Sequence, residues 1–221
     1  MDKSGALPTP GAVLDYWIGA ASHDHLAAIE KNKLWFRKSF ATDKHIAEQF
    51  FPLMCALASG LAYDWAAQGP RQRLAAIIAL DQFSRNVFRG HATSFAHDKL
   101  ALGLTKEALM LGIDAELTEI ERIFLYIPLE HSERMADQTL SVELYSKLAA
   151  SARPVFKNLC DSTLDYATNT GTSFNSSVGS RTGTSFSSAA IRWRKLSILL
   201  SRVQVFDNKR LPLHKMNSDP F

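Results

Sequence analysis

From Pro10 to Ala167 apolar residues recur every three or four positions, the period of helices buried on one face. Val13, Leu14, Trp17 and Ile18 predict a helix over Gly11–Ile18, followed by a connection through Ala20–Asp24. Thr42-Asp43 predicts the cap of a long helix reaching about Gln68, with Ile46, Phe50, Leu53, Met54, Leu57, Leu61 and Trp65 on one face. Pro52 should kink that helix or end its first part, and Gly69-Pro70 should stop it. Further helices are predicted over Arg71–Phe88, with Gly90 as C-terminal glycine, and over Ser94–Leu111, ended by Gly112. Thr118 and Glu121 make a capping box, Pro128 should interrupt the helix they start, and the pattern resumes over Glu130–Ala150 and Pro154–Ala167. No strand-like alternation exceeds four residues. The expectation is an all-α fold of antiparallel helical pairs. Trp17, Trp35, Phe36, Phe40, Phe50, Phe51 and Trp65 fall at helical spacing and read as core.

At Thr168 the pattern stops. Of the 21 residues to Ser188, 17 are Ser, Thr, Gly or Asn, too little apolar area to order a segment. The division expected is a helical domain over 1–167, a low-complexity linker over 168–190 and a tail over 191–221 of uncertain order.

Charge narrows the possibilities. The net charge is +3, but 25 basic and 22 acidic residues are interspersed, which is a solvated surface and no nucleic-acid footprint. Met1–Pro10 has no apolar core of a signal peptide, and no stretch reaches eighteen consecutive apolar residues. The expected setting is therefore cytoplasmic, away from membranes. Cys55 and Cys160 lack metal-ligand spacing and read as buried, reduced thiols.

Two polar strings carry the candidate chemistry, L-D-Q-F-S-R-N-V-F-R-G at Leu80–Gly90 and F-L-Y-I-P-L-E-H-S-E at Phe124–Glu133. Asp81, Arg85 and Arg89 follow one another at four-residue spacing, with Gln82 and Asn86 on the adjoining stripe. Asp81–Arg85 suits an ion pair, and each guanidinium offers a fork for a carboxylate or phosphate. Glu130, His131 and Glu133 are the catalytic candidates, a histidine flanked by carboxylates being suited to general base work, with Asp137 one turn beyond Glu133. A metal is not expected, because no Glu-x-x-His unit or second histidine accompanies His131. No cofactor is expected. His23, His25, His45, His91 and His97 read as surface groups.

These strings, with V-L-D-Y-W-I-G, K-L-W-F and D-K-H-I-A-E-Q-F-F near the N-terminus and P-L-E-H-S-E-R-M-A-D-Q beside His131, resemble the helical family labelled domain of unknown function 924, over about residues 12–167. The resemblance implies a tetratricopeptide-like right-handed stack of helical pairs with a concave side, and no assigned reaction. Ser84 stands where the family has Pro. After L-C-D-S-T-L-D-Y-A the family continues as K-H-R-D-I-I-Q-Q-F-G-R-F-P-H-R-N, whereas this chain has the stretch Asn169–Thr184. With free choice of synonymous codons, one nucleotide string encodes the family motif from its first base and Asn169–Thr184 from its second. A one-base frameshift is the preferred reading, with an authentic partner-binding or phosphorylated linker as the alternative. It predicts a marginal C-terminal edge, disorder after Ala167 and impaired function.

Three roles follow for Asp81, Gln82, Arg85, Asn86, Arg89, Glu130, His131, Glu133 and Gln138. The first is a binding module whose polar groove takes a protein segment or a small anionic ligand. The second is an enzyme with His131 as base, oriented by Glu130 or Glu133, while Arg85 and Arg89 hold a substrate's charge. The third is purely structural, with the side chains saturating one another.

Overall fold

The computed structural model describes residues 5–177, with side chains to Asn169. Among these residues all regular structure is helical. In chain order the helices are α1 (Pro10–Trp17), α2 (His25–Phe36), α3 (Phe40–Ala56), α4 (Ala62–Gln68), α5 (Pro70–Ile78), α6 (Ser84–Val87), α7 (Asp98–Leu111), α8 (Glu119–His131), α9 (Met135–Ser151) and α10 (Lys157–Ser177). Single π-helical turns join α3 to α4 over Leu57–Leu61 and α5 to α6 over Ala79–Phe83.

Most starts have a local cause. Thr9, Asp24 and Ser39 accept backbone N–H bonds from Ala12, Leu26 and Thr42. Ser39, not Thr42-Asp43, is thus the cap of α3, which frees Asp43 for another task. The Thr118–Glu121 capping box opens α8 as predicted. The prolines behave otherwise than predicted. Pro52 lies inside α3 and the break comes later, at Gly60, whose φ of +128° suits only a residue without Cβ. Pro128 lies inside α8. Neighbouring helices supply donors to carbonyls of the preceding turn, from the Thr105 hydroxyl to Leu125 O and from the Tyr145 hydroxyl to Ile123 O, each at 3.0 Å.

Cross-helix bonds give the register. Tyr145 meets Ile123 and Gln138 meets Glu130, so α8 and α9 run antiparallel. Arg73 meets Leu104 and Glu107 while Arg85 meets Asp98, so the α5–α6 arm is antiparallel to α7. Arg71–Glu121 at 2.9 Å and Asp81–His131 at 2.7 Å each join residues fifty apart in sequence, so that arm runs parallel to α8. Antiparallel partners within pairs and parallel equivalents between them are what stacked helical pairs require.

The core runs along this stack. The Trp17 ring is packed edge-on to Phe83 and Phe124, with centroids 5.5 and 5.9 Å away. Each such fully buried side chain stabilises the fold by about 1.5–3 kcal/mol. Trp35, Phe36, Phe50 and Trp65 are core as expected, but Phe40 and Phe51 are exposed, because they project from the outer side of α3. Cys160 is buried, and burial pushes its thiol up to about 12; Cys55, read as buried, is exposed. The stretch Phe40–Gln68 is long and apolar enough to cross a membrane by length and composition, and its Ile46, Phe50, Leu53, Met54 and Leu57 lie buried in the fold.

The last helix packs on α9 and turns Lys157, Asn158 and Asp165 outward. It continues to Ser177, ten residues past the end predicted at Ala167. From residue 178 onward the expected linker and tail lie outside the described residues.

Candidate functional site

The polar strings meet where the π turn Ala79–Phe83 passes the C-terminal end of α8. A π turn inserts one extra residue into a helix and recurs at functional sites. Here it carries Asp81 and Gln82, both buried among Leu80, Phe83 and Ile78. The Asp81 carboxylate is met from three sides. Oδ1 lies 2.7 Å from His131 Nδ1 and 3.1 Å from Arg85 Nη1, and Oδ2 accepts from Gln82 Nε2. Arg85 in turn donates from Nη1 and Nη2 to both oxygens of Asp98, at 3.0 and 2.9 Å, and lies over the Phe95 ring. Asp98 stands in the first turn of α7, where a carboxylate also suits the helix dipole.

The charges follow from this geometry. Burial alone would raise the Asp81 pKa, but Arg85 and the hydrogen bonds from His131 and Gln82 hold it below its ordinary value. Burial, then the Arg85 cation, keeps His131 below its ordinary value in spite of Asp81. Burial keeps Asp98 above its usual range, with Arg85 as the main opposing influence. Asp81 is therefore the ionised member and His131 the neutral one. An ionised carboxylate only accepts, so the imidazole proton is on Nδ1 and Nε2 carries the lone pair.

The carboxylate orienting His131 is Asp81, not Glu130 or Glu133. Glu133 is exposed and makes no hydrogen bond or ion pair among the described residues, since α8 ends at His131 and the chain turns outward. Glu130 is buried and engages Tyr145, whose hydroxyl pKa is raised by burial and then by the Glu130 carboxylate. Gln138 is a cap: Nε2 donates to Glu130 O at 2.8 Å and Ser132 O at 2.6 Å, satisfying carbonyls at the end of α8. Asp137 is bound by Lys106 and the Ser132 hydroxyl, which outweigh burial and lower its pKa.

The arginines do not converge. Arg89 faces Asp43 of α3, donating from Nε and Nη2 at 2.8 Å each, and Asn86 donates to the same carboxylate at 2.9 Å. The Arg85 fork is taken by carboxylates on both sides, and Arg89 turns one edge of its guanidinium to Asp43. Sequence reasoning missed Asp43, read as a cap, and Asp98, which was not singled out. The signal available was a shortage of carboxylates in the Leu80–Gly90 string, which holds two arginines and one aspartate.

Among the described residues several polar atoms in this region have no partner. Gln82 Oε1, Ser84 Oγ, Arg85 Nε and, on α9, Ser141 Oγ are buried without a hydrogen bond. Such atoms cost about 1–3 kcal/mol each unless something meets them. Among the described residues no three His, Cys, Asp or Glu side chains gather as metal ligands.

Residues 13–173 match the profile of a family described as bacterial protein of unknown function, DUF924. The chain belongs to the DUF924 family. The match begins at the core residue Val13 of α1 and ends within α10, so it spans every element that builds this site. This DUF924 chain is also similar to a solved structure, a protein of unknown function, ATU0120, from Agrobacterium tumefaciens. The identity is 28%, over 79% of this chain and 92% of that one, with a TM-score of 0.57. No curated protein matches.

Proposed function

We propose that the protein is a helical-pair binding module that receives a small polar ligand, or a polar side chain of a protein segment, against the π turn Ala79–Phe83. The observation that carries this reading is the pair of unpartnered buried atoms, Gln82 Oε1 and Arg85 Nε, on the two groups that grip the Asp81 carboxylate. Trp17 Nε1 and Arg73 Nε are also buried and unmet, but among the described residues only at the π turn do an unmet donor and an unmet acceptor sit on two groups that hold one carboxylate, and buried charge is itself weak support for stability. Arg89, Asn86 and Asp43 form a brace behind the site, and Gln138 holds its α8 wall.

The test is thermal unfolding of the full chain with millimolar amides, alcohols, amines, carboxylates and phosphate. At least one class should raise the melting temperature of the wild type and leave Gln82→Leu unmoved. If no class does so, and Gln82→Leu is as stable as the wild type, the polar turn is structural.

A second reading is favoured by the 2.7 Å link between Asp81 and His131. It orients a buried imidazole against a carboxylate, the pairing a general base requires, so a bound molecule with an exchangeable proton would be turned over as well as held. His131→Gln should then abolish turnover and retain binding. Unchanged turnover in that variant would leave the module without catalysis.

A further inference from the structure

We infer that the group bound at the π turn is neutral and carries both a hydrogen-bond donor and an acceptor, as a carboxamide does, in place of the anion that two arginines in one string suggest. This inference rests on the ligand-binding reading above and names the chemical class.

Three observations carry it. Anion recognition at the π turn needs an open guanidinium fork, and the fork there is closed: Asp98 and Asp81 take Arg85 at 2.9 to 3.1 Å, while Arg89 is turned away to Asp43. An anion would have to displace an intramolecular carboxylate that is already in place. The charge balance points the same way. Two carboxylates, Asp81 and Asp98, flank the single Arg85 guanidinium, so no positive surplus is left.

The unpartnered atoms then define the complement. Gln82 Nε2 donates to the acceptor-only Asp81 carboxylate, which fixes the amide orientation and makes its unmet atom the acceptor Oε1. The unmet Arg85 atom is the donor Nε, on a guanidinium that touches the same carboxylate. Gln82 is 2% exposed and Arg85 7% exposed, so bulk water does not meet these atoms. One acceptor and one donor, on two groups that share one carboxylate, ask for a ligand that donates once and accepts once. An ammonium would leave Arg85 Nε unmet, and a carboxylate would repel Asp81 and leave Gln82 Oε1 unmet. A carboxamide satisfies both.

Acetamide and acetate are near-isosteric and differ in charge and in the donor, so they separate the two chemistries without any variant. The full chain, labelled with ¹⁵N, is titrated with each at equal ionic strength, and the Gln82 side-chain amide and Arg85 Nε–H resonances are followed. Acetamide should move both saturably, and acetate should move neither. The acetamide response should vanish in Gln82→Leu and persist in Arg89→Lys, which alters only the Asp43 brace. Larger shifts with acetate or inorganic phosphate would overturn the inference and leave a ligand site of the opposite charge. Saturable shifts with methylammonium alone would overturn it toward a cation. If none of these probes moves either resonance, a trapped water occupies the site, and the inference falls together with the ligand-binding reading.

Discussion

Arg85 and Arg89 stand one turn apart on the same arm, yet they belong to two different regions. Around Arg89 one carboxylate, Asp43, takes two guanidinium bonds and the Asn86 amide, and the arginine side chain is 33% exposed, so water can meet the rest of it. Around Arg85, 7% exposed, two carboxylates compete for one guanidinium, a histidine shares one of them, and buried atoms stay unmet. The first region is a finished brace in partial solvent. The second is a desolvated cluster with vacant bonding capacity. Repetition of a residue type along a helix therefore does not mean repetition of its role; what differs is the carboxylate that the rest of the fold brings to each turn.

The largest expected separation comes from removing the two arginines. Arg85→Ala leaves the Asp81 charge buried without its cation and should cost about 3–5 kcal/mol. Arg89→Ala should cost about 1 kcal/mol or less, because its pair is partly solvated. Urea denaturation of both variants measures this, and equal costs would break the comparison.

Acid should act next, and on the Arg85 region. Above His131's ordinary pKa of 6.5 the imidazole is neutral in both the folded and unfolded chain, so its contribution is fully present there. Below 6.5 the unfolded chain takes up a proton that the folded site resists, and stability falls with pH toward the lowered folded pKa. Asp81 adds to the loss below its ordinary 3.8, while Asp98, whose carboxyl is raised, acts in the opposite sense. Stability curves between pH 7 and 5 should slope for the wild type and flatten in His131→Gln. A slope that survives in the variant would place the titrating group elsewhere.

Asn86→Ala removes one amide bond to Asp43 and should cost about 1 kcal/mol, additive with distant core changes but coupled to Arg89→Ala in a double-mutant cycle. The smallest effect is expected at Ser84. Its hydroxyl is buried without a partner, so Ser84→Ala should be neutral or stabilising by up to about 1 kcal/mol. A clear loss would mean that this hydroxyl is engaged.

The helical class was legible because periodicity is a local property: Val13, Trp17, Ile46, Phe50, Leu53 and Leu57 mark buried faces without knowledge of their neighbours. Candidate residues were legible in type, since Asp81, Gln82, Arg85 and Asn86 are polar groups inside an apolar run. Their grouping was not. Asp81 meets His131, and Arg89 meets Asp43 instead of sharing a ligand with Arg85, through packing between helices far apart in sequence. The prolines failed as punctuation for a related reason. Pro128 stays helical in a segment where Thr105 and Tyr145 supply donors from other helices, and no local rule includes them.

The arm and α8 are pinned at two places, Arg71–Glu121 and Asp81–His131, each with the same offset along the two elements. Two rivets with one offset resist shear: sliding either helix by a single residue breaks both at once, and neither can be regained at a neighbouring position. The pair is therefore expected to part in one step rather than through a slipped register. Amide exchange at Ile77 on one helix and Ile127 on the other should accordingly share one protection factor, and loss of either rivet should lower both together.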